Sequence, residues 1–196
     1  MPPLLRDGNE RWYAVRVQSK YELLASDTLL GKGYEVLLPL YKSVRRWSDR
    51  MKTLERPLFP GYLFCRFDMG GRRLPILTTP GVFGIVGAGR TPIPIDDEEI
   101  TALQLMLRSG LAPEPWPYLT VGSRVLIERG PLAGLEGIVV ANRNRWRVVV
   151  SVALLQRSVA AEIDRCWMRE ARAPVGTEAV HAFSGNDRPR VSAAGC

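Results

Sequence analysis

Groups able to do covalent or acid–base chemistry are scarce among these 196 residues. The one histidine, His181, lies in a stretch without apolar pattern. A histidine base, a Ser-His-Asp triad and a histidine-built metal site therefore lack their material. The cysteines, Cys65, Cys166 and Cys196, are odd in number, far apart and in no CxxC spacing. They fit a reducing compartment and leave neither a disulfide framework nor a four-cysteine zinc site. Cys65 stands in a strongly apolar run and reads as a small core residue rather than a nucleophile. Asp96-Asp97-Glu98-Glu99 looks like a set of acid catalysts only in isolation. As the N-terminus of a helix, where the dipole favours carboxylates, the run has an ordinary explanation. Neither an enzyme nor a metal or cofactor site is expected.

The chemistry that remains is charge. The formal net charge is +7 and the isoelectric point about 9.7, which suggests a polyanionic partner. Arginine supplies most of the basic residues, and a planar guanidinium is the better bidentate phosphate ligand. Residues 39–73 concentrate the excess, with Lys42, Arg45, Arg46, Arg50, Lys52, Arg56, Arg66, Arg72 and Arg73 against Asp49, Glu55 and Asp68. Such a run is often a solvated face. With Trp47 among the cations it also suits a single-stranded nucleic acid, held by phosphate pairing and base stacking. Arg45, Arg46, Trp47 and Arg50 are the candidates for that contact.

These residues need elements to hold them. Residues 1–10 read as a loose lead-in. Arg11 to Val17 alternates aromatic and β-branched residues with polar ones, as a strand does. Tyr21, Leu24, Ala25, Thr28 and Leu29 recur at helical spacing; Ser19 and Glu22 form a candidate capping box, and Gly31 or Gly33 ends the helix. Strands follow at 34–39, 60–67 and 82–86, with a basic hairpin over 41–56. A helix opens at Asp96 with Ile100, Leu103 and Leu107 on its apolar face. The fold class is α+β, with a small antiparallel-sheet α/β sandwich over 11–109. Pro113, Pro115 and Pro117 make 110–119 a stiff, extended linker. Short β-rich runs punctuated by glycine over 120–172 suggest a small barrel. Residues 173–196 read as a disordered tail. No apolar run approaches the ~18 residues of a membrane span. The start of the chain lacks the apolar stretch of a signal peptide, so a cytoplasmic protein without a membrane partner is expected.

Val121-Gly122-Ser123-Arg124-Val125-Leu126-Ile127-Glu128-Arg129-Gly130-Pro131-Leu132-Ala133-Gly134-Leu135-Glu136-Gly137-Ile138-Val139 reads as strand, turn and returning strand, with Gly134 and Gly137 expected at positive φ. It also resembles the KOW motif, which sits in SH3-like barrels of five strands. Upstream, Trp12-Tyr13-Ala14-Val15, Pro57-Leu58-Phe59-Pro60-Gly61-Tyr62-Leu63-Phe64 and Pro80-Gly81-Val82-Phe83 resemble the NGN domain of NusG-type elongation factors. An NGN domain, a linker and one KOW barrel, in that order, resembles the bacterial NusG architecture. The resemblance covers about residues 11–170. It implies a monomer that binds transcribing RNA polymerase without catalysis. The run Leu154 to Glu162 and the wording of Pro57 to Phe64 look more like the specialised RfaH/UpxY-type antiterminators of long operons than the general factor. The general housekeeping role is the alternative, and a KOW-containing ribosome- or RNA-binding protein is a further one. Where RfaH carries a His-Thr-Thr element, this chain reads Arg72-Arg73-Leu74. Gly130, Pro131, Gly134 and Gly137 disfavour a helical form of the barrel, so a permanent barrel is expected.

The resemblance also implies roles. Tyr62 and Phe64 share one face of their strand while Leu63, Cys65 and Phe67 share the other. In the family the polymerase clamp helices lie in an apolar concavity of the NGN sheet. Tyr62 and Phe64 are therefore candidate docking residues, although a strand covered on both faces within the domain has the same pattern. Phe59 suits docking or packing equally. Family positions facing the non-template DNA strand match Lys32 and Thr79. Leu132 and Leu135 match positions that help bind a small-subunit ribosomal protein or Rho, or else they plug the end of the barrel.

Overall fold

Seven consecutive residues without a helix breaker, five of them apolar, form the central strand of the first half, β1 (Arg11–Val17), and bury side chains on both faces. The computed structural model describes residues 10–47, 50–118, 122–142 and 145–170. From β1 the chain continues through α1 (Glu22–Gly31), β2 (Glu35–Leu37), the long hairpin of β3 (Leu40–Trp47) and β4 (Arg50–Pro57), then β5 (Tyr62–Phe67). There follow a short helix, α2 (Arg73–Leu77), β6 (Val82–Ile85), and the two-residue strands β7 (Gly87–Ala88), β8 (Thr91–Pro92) and β9 (Pro94–Ile95). Helix α3 (Asp97–Arg108) closes the first half. The sheet order is β2-β5-β1-β6, with antiparallel neighbours, and β9 pairs with the start of β1.

The register sets Tyr13 opposite Cys65 and Ala14 opposite Phe64, which sorts side chains onto two cores. Tyr13, Val15, Leu63, Cys65 and Phe67 meet Ala25 and Leu29 of α1 and Ile76 of α2. Trp12, Ala14 and Phe64 meet Phe59, Ile95 and the α3 residues Ile100, Leu103 and Met106. The alternation expected for β5 is thus the observed one, and both of its faces are covered. Met106, rather than the expected Leu107, completes the buried set of α3; Leu107 is half-buried.

Helix α1 departs from expectation at its start. The capping box does not form: the N-cap is Tyr21, without a side-chain cap bond. Glu22, only 5% exposed, instead accepts a hydrogen bond from the Gly61 N–H at 2.9 Å. Of the expected apolar set, Ala25 and Leu29 are buried, whereas Tyr21 and Leu24 are exposed.

The expected linker is in part a strand. β10 (Glu114–Trp116) pairs antiparallel with β14 (Arg157–Ile163), and Arg147 ties it down by an ion pair to Glu114 (3.0 Å) and a guanidinium 4.9 Å from the Trp116 ring. Prolines are tolerated because β10 is an edge strand, where a missing N–H need not break a ladder. The barrel strands are β11 (Ser123–Ile127), β12 (Glu136–Asn142), β13 (Arg145–Val152), β14 and β15 (Met168–Glu170), in the order β10-β14-β13-β12-β11-β15. With β10 the sheet has six strands, one more than the expected five. Gly134 has φ +89°, but Gly137 does not share that conformation. It lies in β12 opposite Val125, where a Cβ would come within 2.6 Å of Val148 Cγ2, so close approach rather than backbone sign demands glycine there. The expected disordered tail, with His181 and Cys196, lies outside the described residues.

The two halves share one apolar cluster. It runs from Phe59, Phe64 and Leu103 to Val148, Val150 and Val152, and α3 touches both β1 and β13.

Candidate functional site

Tyr62 is presented by a tight turn. Gly61 at φ +82° reverses the chain, the Tyr62 N–H donates to the Phe59 carbonyl at 3.0 Å, and the buried Glu22 carboxylate holds the Gly61 N–H. Beneath Tyr62 the rings of Phe59 and Phe64 meet edge to face, 5.3 Å between centroids. Both phenylalanines are fully buried and Tyr62 is half-buried. Of the three docking candidates, only Tyr62 therefore reaches the surface, and Phe59 and Phe64 form the floor on which it stands. The guanidinium of Arg157, from the barrel, lies 5.1 Å from the Tyr62 ring centroid, and its Nη1 donates to the Pro60 carbonyl at 3.1 Å. Nearby the Ala153 N–H donates to Glu99 Oε1 at 3.1 Å. Burial pushes the Glu99 carboxyl above the usual carboxylate range, opposed by that hydrogen bond.

Lys32 and Thr79, 47 positions apart, are brought together. Lys32 Nζ donates to Thr79 Oγ1 at 2.8 Å and to the Pro75 carbonyl at 2.7 Å. Thr79 is only 3% exposed, whereas Lys32 is exposed. Arg72 stacks 4.4 Å above the Tyr34 ring and donates to the carbonyls of Lys32 and Gly33, while Arg73 and Leu74 are exposed.

The hairpin pairs Arg45 with Lys52, Arg46 with Met51 and Trp47 with Arg50. The side chains of Arg45, Arg46, Trp47 and Arg50 themselves lie outside the described residues.

Leu132 and Leu135 are 0% and 3% exposed and join the barrel core. Of the two readings the sequence leaves open for them, partner contact or packing within the barrel, their burial fits packing. Cys65 is fully buried, and desolvation pushes its thiol up to about 12. Among the described residues no group of three His, Cys, Asp or Glu is placed to hold a metal ion, and no helix is long and apolar enough to cross a membrane.

Sequence reasoning missed Glu22 as a brace for the Gly61 turn and Arg157 as a neighbour of Tyr62. Neither has a local signal, since Gly61 lies 39 positions from Glu22 and Pro60 lies 97 positions from Arg157.

Comparison with known proteins adds an independent line. Residues 10–104 match the family profile described as transcription termination factor NusG. The transcription termination/antitermination protein NusG of Thermus thermophilus is 31% identical over 175 residues, covering 78% of this chain and 94% of that protein. Its namesake in Pseudomonas aeruginosa is 30% identical over 168 residues (79% and 95%), and that of Escherichia coli K12 28% over 178 residues (83% and 97%). Among solved structures, one described as domain interaction in Thermotoga maritima NusG superposes with a TM-score of 0.51 at 20% identity, over 83% of this chain and 98% of the other, and so shares the fold. With nearly the whole length of such relatives matched, the chain belongs to the NusG family of transcription termination/antitermination proteins.

Proposed function

We propose that this chain is a non-enzymatic transcription elongation factor, a monomer that binds RNA polymerase through the Tyr62 face and suppresses pausing and termination. The first domain would grip the polymerase clamp helices, with Tyr62 at the surface and Phe59 and Phe64 as its support. Holding the cleft closed around nucleic acid favours the elongating state over paused ones, a population shift driven by differential binding. The barrel would recruit a second machine, a small-subunit ribosomal protein or Rho, through residues other than the buried Leu132 and Leu135.

The observation that carries the reading is the hairpin register. It sets Arg45 opposite Lys52 and Trp47 opposite Arg50, which gathers cations and an aromatic residue in one short stretch of the ribbon. The exposed non-template DNA strand of a transcription bubble suits such a stretch, by phosphate pairing and base stacking. Lys32 would add one cation beside Thr79.

Within the family we favour the specialised antiterminator of long operons, on the Leu154–Glu162 run and the wording of Pro57–Phe64. A specialist must find few sites among many competitors, and contacts to an exposed strand supply that discrimination. The general housekeeping role is the second reading, and the names carried by the relatives favour it. Gene deletion separates them. A specialist leaves viable cells with reduced promoter-distal transcripts of one or a few long operons. Occupancy across most transcribed genes, or lethality rescued by a housekeeping NusG, would favour the general factor.

A further inference from the structure

The outer edge of the barrel sheet carries a short occupant. β10 covers only Ser158 to Ala160 of β14, three residues of a seven-residue strand, while the ladder of β14 with β13 runs on to Ile163. Prolines at 113, 115 and 117 leave Glu114 and Trp116 as the backbone donors of that stretch. One side chain recognises both. Arg147 stands on β13 opposite Glu162, and its guanidinium crosses β14 to reach Glu114 Oε1 at 3.0 Å and the Trp116 ring at 4.9 Å. Ala160, which pairs with Glu114, is fully buried and small enough to let the arginine pass.

We propose that the outer edge of β14 is a strand-accepting site for a partner protein, read by Arg147 and occupied in the free chain by β10. The partner segment is extended, free of proline and antiparallel to β14, with a basic, an acidic and an aromatic residue at alternate positions. That pattern follows from the ladder. Carried on by two residues, the register of β10 sets position 112 opposite Glu162, as Glu114 is opposite Ala160 and Trp116 opposite Ser158, and alternate positions share one face. A lysine in the place of Ala112 meets the Glu162 carboxylate, half exposed beside Arg145. A glutamate in the place of Glu114 meets Arg147, and a ring in the place of Trp116 lies against the same guanidinium. A proline-free strand also bonds along 161–163, where β10 does not reach. Backbone bonds then supply affinity and the alternate side chains specificity, as in strand addition to any open sheet edge. Strand addition gives an address to the recruiting role proposed for the barrel, and rests on that role for its purpose.

The test uses the full chain and the fluorescein-labelled peptide Thr-Lys-Thr-Glu-Val-Trp-Thr. Anisotropy should show binding, about tenfold tighter to Glu114→Gln combined with Trp116→Ser, which frees the edge without altering β14 or Arg147. Hydrogen exchange should report new protection within 161–163. Replacing the peptide's glutamate by glutamine should weaken binding about tenfold where Arg147 is present, and not at all on Arg147→Met, whose straight apolar side chain still covers Ala160. No peptide binding by the double variant would overturn the proposal, as would protection confined to residues away from β14. Equal affinity of the unaltered chain for the two peptides would overturn Arg147 as the reading residue. Should the double variant fail to fold, the unaltered chain with both peptides and the exchange map decides both points. Peptide binding as expected, by a chain that captures neither the small-subunit ribosomal protein nor Rho, would uphold the edge and remove the recruiting reading alone.

Discussion

Lys32 Nζ and Thr79 Oγ1 lie 2.8 Å apart, joining the end of α1 to the turn that follows α2. The two positions that family resemblance assigns to a DNA strand are thus partners of one another, with the Pro75 carbonyl as shared acceptor. An ammonium has three donors, and two are used here. Lys32→Met should lower stability by about 1–2 kcal/mol, the cost of losing charge-assisted bonds at a partly exposed site. Urea unfolding measures it, and an unchanged midpoint would show that the pair does not hold in solution.

Tyr62 and Phe64 should separate binding from folding. Phe64 is fully buried against Phe59, so Phe64→Ala should cost about 3–5 kcal/mol of stability. Tyr62→Ala, at a half-buried position, should leave a folded protein with at least about tenfold weaker polymerase binding, since a central aromatic anchor is typically worth 2 kcal/mol or more. Wild-type affinity in folded Tyr62→Ala would move the docking face elsewhere.

The cations of the hairpin make a prediction. Arg45→Gln with Arg50→Gln should weaken single-stranded DNA binding and flatten its log–log salt dependence by about 0.7 per lost phosphate contact. Adding Arg46→Gln should flatten it further. An unchanged slope would show that these arginines make no phosphate contact.

Cys65 links stability to alkaline pH. Burial raises its thiol from 9.0 to about 12, so the native state holds the proton where the unfolded chain releases it. The stabilisation is complete below pH 9 and is lost as pH rises toward about 12. Stability of the wild type should therefore fall across that window more steeply than that of Cys65→Ala, which has no thiol to titrate. Parallel pH profiles for the two proteins would refute the linkage.

The readable features of this chain were those whose cause is local. Alternation in Tyr62 to Phe67 assigned Phe64 to one core and Leu63, Cys65 and Phe67 to the other, because a strand's period of two needs no knowledge of what covers it. The glycine-spaced run from 121 to 139 announced its turn, and Cys65 its burial. Features set by distant partners were hidden. Glu22 looks like half of a capping box until Gly61 arrives from 39 positions away to claim it. Leu132 and Leu135 stand in and beside a turn, as the sequence reads, but their burial depends on the strands that cover them. Pro113, Pro115 and Pro117 forbid a helix and permit a strand, but only β14 supplies the edge that makes 114–116 one.

That last feature sets the length of a leash. With Glu114–Trp116 fastened to β14, only residues 109–113 remain between the end of α3 and the barrel's own sheet. Five residues span roughly 17 Å at full stretch. So short a tether keeps the barrel within a small volume around the first half, at a local concentration on the order of millimolar. Any machine that grips the barrel while polymerase grips the sheet is held almost shoulder to shoulder with it, and a pull on one is felt by the other.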